Sequence, residues 1–236
     1  MTIARRYPTR FTLALLLAAT WSLAFPQPAE PQPGGQALKP QLAGMALVQA
    51  LAHGGYTILL RHTATSPFNP DSAVFDIDDC STQRNLSELG KRQARLLGES
   101  FKKLEIGVSE VLASPYCRCM DTGQLAFGEV LSSDVLRVGD SRPGVGRDDP
   151  GIAIRKLLDT PPPAGKNNVL IAHSITLLYA FGLTGKPEGV AHVFRPSGLG
   201  LGQPQYIGVM NPDDWPVHAG LAAAGTTQSD GAGAQP

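Results

Sequence analysis

Thr57-Ile58-Leu59-Leu60-Arg61-His62-Thr63-Ala64-Thr65 is the stretch from which this chain is read. An apolar run, with Tyr56 at its start, ends on an adjacent Arg-His pair and passes into a small polar loop. A buried strand with that ending delivers a guanidinium and an imidazole to its open end. Two further stretches end in a similar way. Residues 108–113 run into Ser114-Pro115-Tyr116-Cys117-Arg118, and residues 168–172, the most apolar strand, run into His173. Strands that alternate with helical stretches imply an α/β protein: a single domain with a mostly parallel sheet flanked by helices. Ligands of such sheets bind at the carboxyl ends of the strands.

The helices are read from spacing and caps. Residues 42–52 (Leu42, Met45, Ala46, Val48, Leu51) have helical periodicity and stop at Gly54-Gly55. Asn85-Leu86-Ser87-Glu88 opens a longer helix with the stripe Ala94, Leu97, Phe101 and Leu104. Either Asn85 or Ser87 can cap it, and Glu88 suits the dipole of the first turn. Residues 119–127, 152–158 and 174–181 read as shorter helices. Residues 135–138 are expected as a strand, and 190–194 and 206–210 as the last two strands. Residues 66–82 and 139–151 read as surface loops.

The chain has 236 residues, 42% hydrophobic and 17% charged, enough to bury a real core. Lys plus Arg equal Asp plus Glu at 20 each, which argues against a nucleic-acid-coating protein. Arg5, Arg6 and Arg10 precede an apolar run over 11–25, and Ser22-Leu23-Ala24 places small residues where a signal peptidase reads. Residues 1–24 are therefore expected to be a secretory signal peptide, and the protein to be exported, periplasmic or extracellular. The run is shorter than the about 20 residues of a membrane span, so no stable membrane insertion is expected after cleavage. Cleavage removes three arginines and no acid, leaving 17 basic against 20 acidic side chains, a net charge of −3. Residues 25–41, rich in Pro, Gln and Gly, read as an extended linker, 42–217 as the folded domain, and 218–236 as a disordered tail. Three cysteines, Cys80, Cys117 and Cys119, allow one disulfide in an oxidising compartment, with the pairing open. Cys117 and Cys119 lack the further ligands of a metal site, and no metal or other cofactor is expected.

Arg61, His62, Arg118 and His173 carry the chemistry. Adjacent strand ends can gather them although 111 residues separate the two histidines. A guanidinium fork matches phosphate oxygens. A histidine among cations has its pKa lowered and keeps a lone pair able to attack phosphorus. Phosphoryl transfer needs mainly charge neutralisation and in-line placement, which two arginines and a second imidazole supply. Each residue alone is an ordinary strand-end side chain; the coincidence of four is the signal.

Leu59-Leu60-Arg61-His62, then Gln83-Arg84-Asn85-Leu86-Ser87-Glu88-Leu89-Gly90, then Ala113-Ser114-Pro115-Tyr116-Cys117-Arg118 with Asp121-Thr122, then Val169-Leu170-Ile171-Ala172-His173 resemble the ordered motifs of the histidine phosphatase superfamily, the phosphoglycerate mutase-like fold. The likeness spans about residues 45–215, and the exported setting resembles the secreted bacterial branch. It implies that His62 is a nucleophile forming a phosphohistidine, that Arg61 and Arg118 clamp the phosphoryl oxygens, and that His173 completes the pocket. It further implies that Thr65 sets its hydroxyl on the phosphate and that Arg84 faces the pocket mouth. The expected activity is metal-independent hydrolysis of a small phosphomonoester. Glu188, in the loop after the His173 helix, is the expected proton donor, with Asp148 and Asp149 as alternatives. If the loops bearing Cys80 and Cys117 rim one pocket, a Cys80–Cys117 disulfide would staple the rim and leave Cys119 over. The chain departs from the family where Thr63 and Ser174 replace the usual glycines after the two histidines, and where Gly123 replaces an alanine. Thr63 and the choice of proton donor, which the motifs do not settle, keep a second reading open, a non-catalytic protein that holds a phosphate ligand in the same pocket. A mutase is a third, weaker reading, disfavoured by export.

Overall fold

Residues 38–137 and 149–222 are described by the structure, a computed structural model, and they lie in the unit Gly35–Pro236. The expected signal peptide, most of the expected linker, Asp148 and the expected tail beyond residue 222 fall outside the described residues.

Strands β1 (Thr57–Arg61), β2 (Val108–Ala113), β3 (Leu131–Ser132), β4 (Asn167–Ala172), β5 (Ala191–Arg195) and β6 (Gln205–Met210) form one sheet in the order β3-β2-β4-β1-β5-β6. The pairs β2–β3, β2–β4 and β1–β4 are parallel, and β5 is antiparallel to both β1 and β6. The helices are α1 (Gly44–His53), α2 (Glu88–Lys103), α3 (Cys117–Phe127), α4 (Pro150–Leu158), α5 (Ser174–Phe181) and α6 (Asp214–His218). Because successive strand residues face opposite ways, Ile58, Leu60, Val169 and Ile171 enter a core with Leu51 of α1, Phe101 of α2 and Trp215 of α6. Leu59, Leu170 and Phe194 enter a second core with Ile154 and Leu158 of α4 and Leu177 of α5. Both faces are covered, so β4 is buried at all six positions and reads as an apolar run rather than an alternation.

The polar loop after β1 is fixed by α2. Ser87 is the N-cap: its hydroxyl accepts from the Gly90 N–H at 3.1 Å and donates to the Ala64 carbonyl at 3.2 Å. Gln93 accepts from the Ala64 N–H at 3.1 Å. Gly90 is required by this close approach, since a Cβ there would collide with the Ala64 carbonyl.

Two expectations are corrected. Residues 135–137, the described part of the expected strand 135–138, do not form one: a 3-10 turn spans Asp134–Leu136, and the edge strand is the two-residue β3 before it. A single buried side chain, Leu136, plugs the core on the α4–α5 side, and one turn is enough to place it. Helix α3 begins at Cys117, two residues ahead of the expected start, so Arg118 is carried in its first turn. Helix α6 lay unread at the end of the domain, and its Trp215 packs against Phe101 at a ring distance of 4.9 Å.

Candidate active site

Three adjacent parallel strands, β2, β4 and β1, end together. The Ser114 N–H donates to the Ile171 carbonyl at 2.9 Å and the His62 N–H to the Ala172 carbonyl at 3.0 Å, so the ladder continues one residue past each strand. That register sets His62, His173 and Ser114 side by side. The His62 and His173 rings lie 5.6 Å apart, edge to face, and His173 Nε2 is 2.9 Å from the Ser114 hydroxyl.

His62 is 2% exposed, and its Nδ1 lies 3.0 Å from the Thr63 carbonyl. A carbonyl only accepts, so Nδ1 carries the proton and the lone pair belongs to Nε2. Burial pushes the imidazole down to about 4; the Thr63 bond opposes this, and the Arg118 charge reinforces it. His173 is held well below the ordinary imidazole range by burial and by Arg118, His62 and Arg61. Both rings are therefore neutral at pH 7.

The two arginines share one arrangement. Arg61 Nη1 donates to the Gly185 carbonyl at 3.2 Å and Nη2 to Glu188 Oε1 at 3.1 Å. Arg118, 4% exposed, donates from Nη1 to Asp71 Oδ1 at 3.2 Å and to the Arg84 carbonyl at 3.4 Å, with its guanidinium 4.4 Å from the centre of the Tyr116 ring. The Nε donors of both arginines are buried without a partner among the described residues. Buried donors are nearly always satisfied, and an anion would satisfy these.

Glu188 lies in this site as an acceptor. Its Oε2 takes the Thr65 N–H at 2.9 Å, and its Oε1 takes the Thr65 hydroxyl at 2.9 Å as well as Arg61. Burial raises its carboxyl, but the two Thr65 bonds, with the charge of Arg61, outweigh that and hold it below the usual range. It stands as a carboxylate with no proton to give. The Thr65 hydroxyl, expected on a phosphate, is spent on Glu188. Arg84 sits at the rim, where its backbone holds Asp71 and Arg118. Asp149 is elsewhere: it caps α4 and pairs with Arg155 at 3.7 Å.

Thr63 is turned toward α3. Its hydroxyl and its N–H both lie 3.2 Å from the Thr122 hydroxyl, which donates to the Arg118 carbonyl at 2.7 Å. The residue that departs from glycine thus ties the nucleophile loop to the helix bearing Arg118. Gly123 has a packing reason: a Cβ would come within 2.8 Å of Val130. Cys80 and Cys117 form a disulfide, and Cys119 is a buried free thiol. Sequence reading missed Asp71, and Gln83, whose amide donates to the Asp76 and Ile77 carbonyls and accepts from the Cys117 N–H. Ser114 could have been found, because it follows β2 as His62 follows β1.

A stability prediction follows from the histidines. His62 and His192 are depressed to about 4, and His173 is depressed too. Unfolding returns them to about 6.5, so below that pH the unfolded chain binds more protons than the folded one. Stability is complete above pH 6.5 and falls as the pH drops toward 4. Thermal melts across that window should show a declining Tm, and a flat profile would contradict the neutral, buried imidazoles.

Fold and site together give an α/β protein with two neutral imidazoles at its strand ends and two guanidiniums, Arg118 buried and Arg61 partly buried. Residues 57–136, which carry Arg61, His62 and Arg118, match the model of the histidine phosphatase superfamily (branch 1). β4 and His173 lie beyond the matched residues, and their place in the site rests on the geometry. Among solved structures, the protein histidine phosphatase SixA complexed with tungstate is 15% identical, covering 66% of this chain and 97% of its own, with a TM-score of 0.46. A phosphoserine phosphatase from Entamoeba histolytica in complex with 3-phosphoglyceric acid is 15% identical, covering 68% and 98%, with a TM-score of 0.46. A mycobacterial glucosyl-3-phosphoglycerate phosphatase with inorganic phosphate is 16% identical, covering 67% and 99%, with a TM-score of 0.42. No curated protein matches the chain.

Proposed function

We propose that this chain is an exported phosphatase that hydrolyses a small phosphomonoester through a phosphohistidine on His62, without a metal. The observation that carries the reading is the neutral, buried His62, its Nδ1 committed to the Thr63 carbonyl, beside two guanidiniums with unspent Nε donors. In the first step the Nε2 lone pair forms the N–P bond as the P–O bond to the leaving group breaks. In the second, water attacks phosphorus, the N–P bond breaks, and inorganic phosphate leaves with His62 restored. Arg61 and Arg118 neutralise the equatorial oxygens in both steps. Glu188, a carboxylate bonded to Arg61 and to Thr65 of the nucleophile loop, is in the right state to take the proton of the hydrolytic water. To serve the leaving oxygen it must first be protonated, so leaving groups of low pKa are the favoured substrates. Export is supported by the arginine-led apolar run over residues 5–25 and by the Cys80–Cys117 disulfide, a bond that persists in oxidising compartments.

The anionic state of Glu188 favours a second reading, in which the pocket holds a phosphate ester without turnover. One experiment separates the two. The purified protein, with chelator present, is given an aryl phosphate and quenched rapidly for covalent label on histidine. Turnover with a trapped phosphohistidine supports the phosphatase. Calorimetric binding of a phosphate ester with no hydrolysis over hours supports the binder. Neither turnover nor binding ends both readings.

A further inference from the structure

We infer that Asp71 is a positioning residue for Arg118: it holds Nη1 from outside so that the Nε edge of the guanidinium is presented to the phosphoryl group. The inference rests on the phosphoryl reading of the pocket and adds a residue from a loop to which no motif assigns a role. Asp71 Oδ1 accepts from the Arg84 N–H at 2.8 Å and from Arg118 Nη1 at 3.2 Å. The Arg84 carbonyl takes the same Nη1 at 3.4 Å. Carboxylate, peptide and guanidinium therefore form one closed unit, in which Arg84 contributes its backbone rather than its charge.

The loop that delivers Asp71 is itself held. The Ser72 N–H donates to the Thr82 carbonyl at 2.8 Å, Gln83 bridges the loop to the Cys117 N–H, and the disulfide joins Cys80 to Cys117, the residue before Arg118. Arg118 cannot choose its own orientation freely, because it is buried and rests against the Tyr116 ring. Arg61 is a parallel case: its two terminal nitrogens are spent on Gly185 and Glu188 while its Nε stays open. A carboxylate engages a terminal nitrogen of each arginine, Nη1 in Arg118 and Nη2 in Arg61, and the Nε of each has no partner among the described residues. Outer hydrogen bonds of this kind orient the group that touches the ligand. The opposite role, an internal anion competing with the phosphoryl group for Arg118, would need Asp71 on the open edge, and it is bonded to Nη1.

The test compares Asp71→Ala and Asp71→Asn with the intact chain, using inorganic phosphate as the probe. Phosphate is measured by calorimetry and as a competitive inhibitor of aryl phosphate hydrolysis, with Tm recorded for each protein. Asp71→Ala should weaken phosphate about tenfold and raise KM more than it lowers kcat, as expected for loss of one charge-assisted hydrogen bond. Asp71→Asn, whose amide oxygen still accepts from Nη1, should stay within about threefold of the parent. Tm should move little, since the Asp71 side chain is 39% exposed. Tighter phosphate binding in either variant would make Asp71 a competitor and overturn the inference, as would unchanged binding in Asp71→Ala. An intact chain that neither binds phosphate nor turns over substrate would instead overturn the phosphoryl reading, and the inference with it.

Discussion

His62→Ala is expected to lower kcat for an aryl phosphate by at least about 10³-fold and to abolish the covalently trapped label. The argument is one of atoms. His62 Nε2 is the free imidazole lone pair in the pocket whose partner nitrogen is tied to a backbone carbonyl. His173 Nε2 is already engaged 2.9 Å from Ser114 and 3.7 Å from the Cys119 thiol. It cannot inherit the role without breaking those contacts. Arg61 and Arg118 remain, so the affinity for inorganic phosphate should survive the change within a few-fold, and the loss should fall on kcat rather than on binding. That split separates a nucleophile from a residue that only shapes the pocket. If the variant kept a substantial part of its turnover, or if label were still trapped, covalent catalysis at His62 would be wrong. Retained phosphate affinity also guards against reading a misfolded variant as an inactive one.

The frame of this site is legible because its signals are local. The Arg61-His62 pair stands directly after an apolar run, and His173 follows a strand buried at every position. Parallel strands with covered faces cannot hide that pattern. What sequence could not decide depended on partners from elsewhere. Asn85 and Ser87 are both good caps; the Ala64 carbonyl, brought in by the β1 loop, selects Ser87. The position of Glu188 was legible but its protonation state was not, since that is set by the Thr65 N–H and hydroxyl 123 residues away in the chain. Thr63 was visible as a departure from glycine, yet its consequence needed the Thr122 hydroxyl on α3. Asp71 gave no signal at all. It sits in a Pro- and Asp-rich loop without periodicity, 47 residues before the arginine it holds.

Reduction of the Cys80–Cys117 bond, or replacement of both residues by serine, is expected to cost the protein about 4 kcal/mol by the loop-entropy estimate, given its sequence separation of 37. For a domain of this size that is a drop in Tm on the order of 10 °C. The staple also fixes the loop that carries Asp71 to the helix that carries Arg118, so its loss should weaken phosphate in the same direction as Asp71→Ala. Cys119 will not compensate. Burial pushes its thiol up to about 12, and it is enclosed against the Ala172 carbonyl and His173. Thiol counting follows the reaction: one equivalent of reductant should expose two reactive cysteines in the folded protein, and the third only on unfolding. A fall in Tm with unchanged phosphate affinity would mean that the bond acts on the unfolded chain alone, leaving the Asp71 loop ordered by its own hydrogen bonds. An unchanged Tm with both thiols titrated would contradict the stabilising role of the staple.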